Sequence, residues 1–186
     1  MKRIILFMLC AAFALVGGCK KDSSTPPTNE CVSANDFSFP ANATKFSATL
    51  YSQCTSVATG SEFYVKLVLY NVNDVFGAAT EFSLPSNVEL LAAEVGPFFS
   101  PISNTLVLGG RVNNNTAYAF GMTFKAGTTS SASGSGVLVK LRLRATAAGT
   151  ATFAFDRSKL EMTRSDGSPI ANFSGLAIED LTVTIR

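Results

Sequence analysis

The chain reads as an all-β protein, an antiparallel jelly-roll β-sandwich of about nine strands. Three observations predict this. Apolar residues recur with period two in several segments, the pattern of a strand with one face in a core and one in water. Clusters of Asn, Asp, Gly and Pro separate those segments at short intervals. No segment sustains a helical period; Leu84 to Ala93 comes nearest, and its prolyl start and β-branched content weaken it.

The strands follow in order. Phe46 to Ser52 opens the body. Phe63, Val65, Leu67 and Leu69 then alternate with Glu62, Tyr64, Lys66 and Val68. Asn71 to Asp74 reads as a turn into Phe76 to Ser83, and Pro85 to Asn87 as a turn into Val88 to Val95. Thr105 to Val112 and Ala117 to Phe124 flank the turn Asn113 to Asn115. Lys125 to Gly136 (KAGTTSSASGSG) is low in complexity and reads as one long loop. Val137, Val139, Leu141 and Leu143 alternate with Leu138, Lys140, Arg142 and Arg144. Thr150 to Phe155 follows the turn Ala148-Gly149; beyond Asp166-Gly167, Leu181, Val183 and Ile185 alternate with Thr182 and Thr184.

The N-terminus carries a different message. Lys2 and Arg3 precede an apolar run from Ile4 to Val16, then Gly17, Gly18 and Cys19. That run is a secretory signal, too short to span a bilayer, which needs about 20 apolar residues. LVGGC resembles the lipobox of bacterial lipoproteins, with Val16 where Leu is usual. The resemblance implies cleavage before Cys19 and lipid attachment to its sulfur. The implied location is a bacterial cell envelope, and Lys20 in the second mature position resembles outer-membrane lipoproteins. The organisation is therefore a signal peptide over 1–18, a lipid-anchored polar tether over 19–30 and one β-sandwich domain over 31–186. Residues Lys20 to Glu30 (KKDSSTPPTNE) cannot bury enough apolar surface to fold alone, and their root-mean-square reach is about 17–20 Å.

Charge and cysteines change with that cut. Of fifteen Lys and Arg, Lys2 and Arg3 leave with the signal, so thirteen basic residues face thirteen acidic ones. No basic stripe remains for nucleic acid. Membrane contact rests on the acyl chains at Cys19. Cys10 leaves and Cys19 is acylated, so Cys31 and Cys54 remain as a disulfide pair in an exported protein. Such a bridge is worth about 3 kcal/mol on the chain-entropy model.

There is no histidine and no C-x-x-C spacing, which argues against a metal centre and removes an imidazole base and every triad that uses one. The carboxylates are scattered over turns and outward strand positions, and the glycine pairs lack a strand–loop–helix setting and its lysine. The chain is read as no enzyme, with no catalytic residue, cofactor or metal.

The order of motifs resembles a family. A glycine turn leads into GSEFYVKLVLY, Gly60 to Tyr70; NVNDVFGAATEFSLPSNVELLAAEVGPFF follows, Asn71 to Phe99. Then come the Gly/Ser segment, the strand VLVKLRLRA, the Ala148-Gly149 turn, FAF, and SDGSPI from Ser165 to Ile170. This resembles a cohesin domain over about Phe46 to Arg186. The resemblance implies a nine-stranded jelly roll, related to carbohydrate-binding modules, that is non-catalytic and binds a dockerin-like protein partner. In cellulosomes such domains recruit glycoside hydrolases, which implies a link to polysaccharide degradation. Many cohesins carry Tyr-Asp-Pro where this chain has Leu84-Pro85-Ser86-Asn87.

The cohesin docking face uses the third, fifth, sixth and eighth strands. Here Phe76 to Ser83 stands as the third and Ala117 to Phe124 as the sixth. Phe82, Tyr118, Phe120, Met122 and Phe124 are bulky and belong inside. Strict alternation then turns Ala79, Glu81 and Ser83, and Ala117, Ala119, Gly121 and Thr123, towards a partner. The alternative is a carbohydrate-binding module holding a polysaccharide near the membrane. Against it stand the absence of Trp and only four Tyr; the fifteen Phe suit a core.

Overall fold

Two fourteen-residue strands, β3 (Glu62–Val75) and β8 (Ala132–Ala145), form the longest ladder. The computed structural model describes residues 36–41, 46–127, 130–170 and 175–186. The signal, Cys19, the tether and Cys31 lie outside them.

The other strands are β1 (Ser47–Tyr51), β2 (Ser56–Val57), β4 (Gly77–Ser83), β5 (Val88–Val95), β6 (Thr105–Val112), β7 (Ala117–Phe124), β9 (Gly149–Phe153), β10 (Glu161–Thr163), β11 (Ala177–Glu179) and β12 (Leu181–Ile185). One layer has the order β11-β1-β3-β8-β5. The other joins β10-β4-β7-β6 to β2-β12-β9. The joint is a hydrogen-bonded step beside β4: Ser83 N–H donates to Ala154 O, and Asp156 N–H to Glu81 O, each at 2.8 Å. Asp156 then caps a 3-10 turn, Arg157–Lys159, accepting from Ser158 N–H and Oγ at 3.0 and 2.6 Å. Those bonds hold its carboxyl below the usual range. The turn returns the chain to β4 as β10. This is an all-β jelly-roll sandwich; β2, β10 and β11 are too short to show a period in sequence.

The core lies between the layers. Phe63, Val65, Leu67 and Leu69 of β3 face it with Leu141 and Leu143 of β8, Phe82 of β4 and Phe153 of β9, each at most 1% exposed. The rings interlock edge to face: Phe63–Phe153 at 6.4 Å, Phe82–Phe155 at 6.2 Å, Phe99–Phe124 at 5.1 Å. Gly96 is obligatory: a Cβ there would stand 2.0 Å from Val137 O.

The ladder corrects three expectations. First, β3 has no wet face along its middle. Tyr64, Lys66, Val68 and Tyr70 are buried although they oppose the core; residues 36–41 cross over the last three, and Lys140 lies 5.2 Å from the Tyr64 ring. Second, Asn71 to Asp74 is not a turn but part of β3. Leu69 pairs with Gly136, Val72 with Gly134 and Val75 with Ala132, so β3 spends three residues for every two of β8. Two bulges absorb the excess, with Asn71 at φ 52° and Asp74 at φ 55°. Asn and Asp tolerate this left-handed backbone. Each amide then donates to a hydroxyl at 3.0 Å, Asn71 N–H to Ser135 Oγ and Asp74 N–H to Ser133 Oγ. The residues 132–136 expected in a loop are thus strand. Third, a bulge sets Leu67 opposite Val139 but Val68 opposite Val137. Leu138 turns into the core and Val137 onto the outer face, the reverse of strict alternation. Downstream the predicted parity holds.

Thr80 is 5% exposed in the core, and its Oγ1 has no hydrogen-bond partner. An unpaired buried hydroxyl costs about 1–3 kcal/mol. Thr80→Val, of similar shape, is expected to raise the unfolding free energy by about 1 kcal/mol in denaturant titration. A loss of stability would show that the hydroxyl is satisfied.

Candidate docking face

The two outer faces of the sandwich differ. That of β1-β3-β8-β5 is covered by residues 36–41 over Lys66, Val68, Tyr70 and Val137, while Glu62, Glu89, Arg142 and Arg144 at its other end stay partly exposed as an ion-paired cluster. Phe37 and Phe39 pack on Val68, Tyr70 and Val137, and Phe39 meets Tyr70 edge-on at 5.5 Å. Tyr70 OH donates to Pro40 O at 3.0 Å, and burial pushes that phenol up. Lys66 Nζ donates to Ser38 O at 2.7 Å. Desolvation pushes Lys66 down; Asp36 opposes the shift, and Lys140 adds to it. Lys140, fully buried, holds Glu94 at 2.9 Å and lies 4.5 Å from the centre of the Phe37 ring. The strap formed by residues 36–41 thus gives two adjacent lysines a carbonyl and an aromatic partner, and Glu94 of β5 adds the carboxylate.

The outer face of β10-β4-β7-β6 is open. The register puts Ala79 between Glu161 and Gly121, with Leu108 beyond; Glu81 neighbours Ala119, with Gly110 beyond; Gly77 neighbours Thr123, with Leu106 beyond. The result is a floor of Gly, Ala and Thr, walled by leucines on β6 and by Glu161 and Thr163 on β10. Two shallow depressions of about 300 and 560 Å³ lie on it. Leu106 and Leu108 are 57% and 80% exposed.

The structure brings most of the predicted set together. Ala79, Glu81, Ala119, Gly121 and Thr123 are partly exposed on this face, while Thr80, Phe82, Tyr118, Phe120, Met122 and Phe124 point inward and are buried. Two members are corrected. Ala117 shares the outward register but is buried, 7% exposed, at the strand end. Ser83 is spent on the joint between the sheets: its Oγ accepts from Ala154 N–H at 2.8 Å and donates to Thr152 O at 3.3 Å. Glu81 accepts a hydrogen bond from Asn113 Nδ2 in the β6–β7 turn. Leu106, Leu108, Gly110 and Glu161 were not selected from sequence. In β6 (TLVLGGRV) neither alternating set is plainly the wet one, Thr105 and Arg111 sharing theirs with Val107 and Gly109, so only pairing with β7 reveals the outward one.

Two glycines here are not required by the fold. A Cβ at Gly110 would meet nothing within 4 Å, and at Gly121 only Ala79 Cβ at 3.8 Å. Glycine within a strand costs stability and marks places where another backbone comes close. The arrangement offers no assembled acid–base pair, and no group of three or more His, Cys, Asp or Glu able to hold a metal occurs among the described residues. What it can do is receive a complementary surface.

Solved structures of similar shape support this geometry. A non-cellulosomal cohesin from the hyperthermophilic archaeon Archaeoglobus fulgidus matches 77% of this chain and 92% of its own, with 19% identity and a TM-score of 0.59. The fold is cohesin-like. A type II cohesin domain from the cellulosome of Acetivibrio cellulolyticus aligns over 75% of this chain and 95% of its own at 10% identity, TM-score 0.64. A chain of a type I cohesin–dockerin complex from Clostridium thermocellum aligns over 77% and 100% at 12% identity, TM-score 0.63. No protein-family model and no curated protein matches the sequence.

Gly110→Ala is expected to raise the unfolding free energy by about 0.5–1 kcal/mol, because the added methyl meets no atom and stiffens the unfolded chain. Destabilisation in thermal or chemical melts would mean that the fold itself needs this glycine.

Proposed function

We propose that this chain is a non-catalytic, lipid-anchored docking module of the bacterial cell envelope, binding a dockerin-like protein partner on the β10-β4-β7-β6 face. The flat floor of Ala79, Ala119 and Gly121 beside the exposed Leu106 and Leu108 carries the reading. Cohesins of the same fold crystallise in complexes with dockerins. An apolar floor edged by Glu81 and Glu161 suits a packed protein surface, with the carboxylates restricting which partners fit. The outward register holds no aromatic side chain, so the polysaccharide alternative lacks a stacking platform on this face. Recruitment of polysaccharide-degrading enzymes is the role this reading suggests. Ala119→Arg and Gly121→Arg, which place charge and bulk on the floor without entering the core, are expected to weaken capture of the partner by at least about tenfold, a loss of some 1.4 kcal/mol. Unchanged affinity of both folded variants would remove this face from the site.

The anchor belongs to the same proposal. LVGGC followed by a polar tether supports acylation of Cys19 and placement at the outer membrane. Cys19→Ala is expected to shift the protein from the detergent phase to the aqueous phase; an unmodified N-terminus at another residue in the native protein would contradict acylation. Pairing of Cys31 with Cys54 is supported by the burial of Cys54, which is 3% exposed. That bridge would fasten the chain just before the strap.

A further inference from the structure

We infer that the open edge of β6 pairs with β6 of a second copy of this chain, antiparallel, about a two-fold axis through Leu108. The inference stands apart from the docking reading. β6 ends its sheet, with β7 on one side and no strand on the other among the described residues. Lys125 N–H donates to Asn104 O at 2.8 Å. Antiparallel alternation then directs the main-chain groups of Leu106, Leu108 and Gly110 to β7, and those of Val107 and Gly109 to the open edge. Native edges are usually blunted by Lys, Pro or bulges. β6 has none of these over eight residues. The large apolar side chains exposed among the described residues, Ile102, Leu106 and Leu108, all cluster on and beside it.

The pattern of sizes selects a second copy as the occupant. Around Leu108 the strand is self-complementary, with large residues on one side and glycines on the other. In the register that sets Leu108 opposite Leu108 of the second copy, Leu106 falls opposite Gly110 and Val107 opposite Gly109. Each bulky side chain lies beside a missing one, on both faces. Val107 and Gly109 are also the residues whose amides and carbonyls face outward, so this register completes their hydrogen bonds. Electrostatics agree. Arg111, the only charge in β6, falls opposite Thr105 rather than another Arg111, and its guanidinium is tied to Leu90 O of its own chain. The mature sequence carries equal numbers of acidic and basic residues. A cavity of about 240 Å³ opens between β5 and β6, lined by Glu94, Val107, Gly109 and Tyr118. Val107 of the second copy would lie beside Gly109 at its mouth.

The test is a set of single cysteines in the full-length, processed protein, oxidised with copper phenanthroline and read on non-reducing gels. Leu108→Cys puts two sulfurs on the axis, at a cross-strand separation of about 4.5–5.5 Å that a disulfide spans with small adjustment. Leu106→Cys puts its two sulfurs about four residues apart along the strand, roughly 13 Å, beyond that reach. Leu108→Cys is therefore expected to give a cross-linked dimer and Leu106→Cys at most about a tenth as much. Val107→Pro in the Leu108→Cys background removes an edge donor without touching the β6–β7 ladder, and is expected to abolish the dimer while the circular dichroism spectrum is retained. A monomeric Leu108→Cys protein, equal cross-linking through Leu106→Cys, or a dimer that survives Val107→Pro would each overturn the pairing.

Discussion

The structure depends on the β3–β8 ladder being buried on both faces. One face supplies Phe63, Val65, Leu67, Leu141 and Leu143 to the space between the layers. The other carries Val68, Tyr70 and Val137 together with Lys66 and Lys140. A central strand pair with that composition cannot be left to water on its apolar half or to a dry cover on its charged half. The strap at 36–41 meets both demands, with Phe37 and Phe39 over the apolar residues and a carbonyl and an aromatic partner for the ammonium groups, to which Glu94 of β5 adds a carboxylate. Pairing matters here because an isolated buried charge is far more costly than one with hydrogen-bonded neighbours.

The consequence for function is one of allocation. With the apolar half of β1-β3-β8-β5 under the strap and its other half an ion-paired Arg–Glu cluster, the broad apolar open surface belongs to β10-β4-β7-β6. Its inward side is crowded with Phe82, Tyr118, Phe120 and Phe124, which keep the sheet seated and press against the same core as β3 and β8. Its outward floor is reduced to Ala79, Ala119, Gly121 and Thr123, between the leucines of β6 and the Glu161 side of β10. Tyr118 reaches along that inner side to β6, so that a Cβ on Gly109 would stand 2.8 Å from its hydroxyl, and burial pushes that phenol up. Flatness outside and bulk inside are two sides of one sequence pattern.

That pattern explains what could be read beforehand. In β4 and β7 large aromatics alternate with small residues, so parity was unambiguous, and Ala79, Ala119 and Gly121 could be placed outward. In β12 Thr182 and Thr184 mark the wet side equally well. Legibility failed where the two sides look alike. In β6 neither side is plainly wet, Thr105 and Arg111 sharing theirs with Val107 and Gly109, which hid Leu106 and Leu108. β3 looked half-wet because a lysine and a tyrosine resemble solvent-facing residues until something covers them. The bulges were hidden for another reason: Asn71 and Asp74 are turn formers, and the left-handed backbone they favour serves a kinked strand as well as a loop. The roles of Ser83 and the burial of Ala117 depend on neighbours distant in sequence, which alternation does not contain.

The two outer faces are unequal: the apolar part of one is covered by its own chain, and the apolar floor of the other, the proposed docking face, is bare. The crystal structure of the domain with a partner captured from its native cell envelope tests it most directly. The account predicts that the partner covers Ala79, Ala119 and Gly121 between Leu108 and Glu161, with the strap still seated on Tyr70 and Lys140. A partner lying on the β1-β3-β8-β5 face, with residues 36–41 displaced, would contradict it.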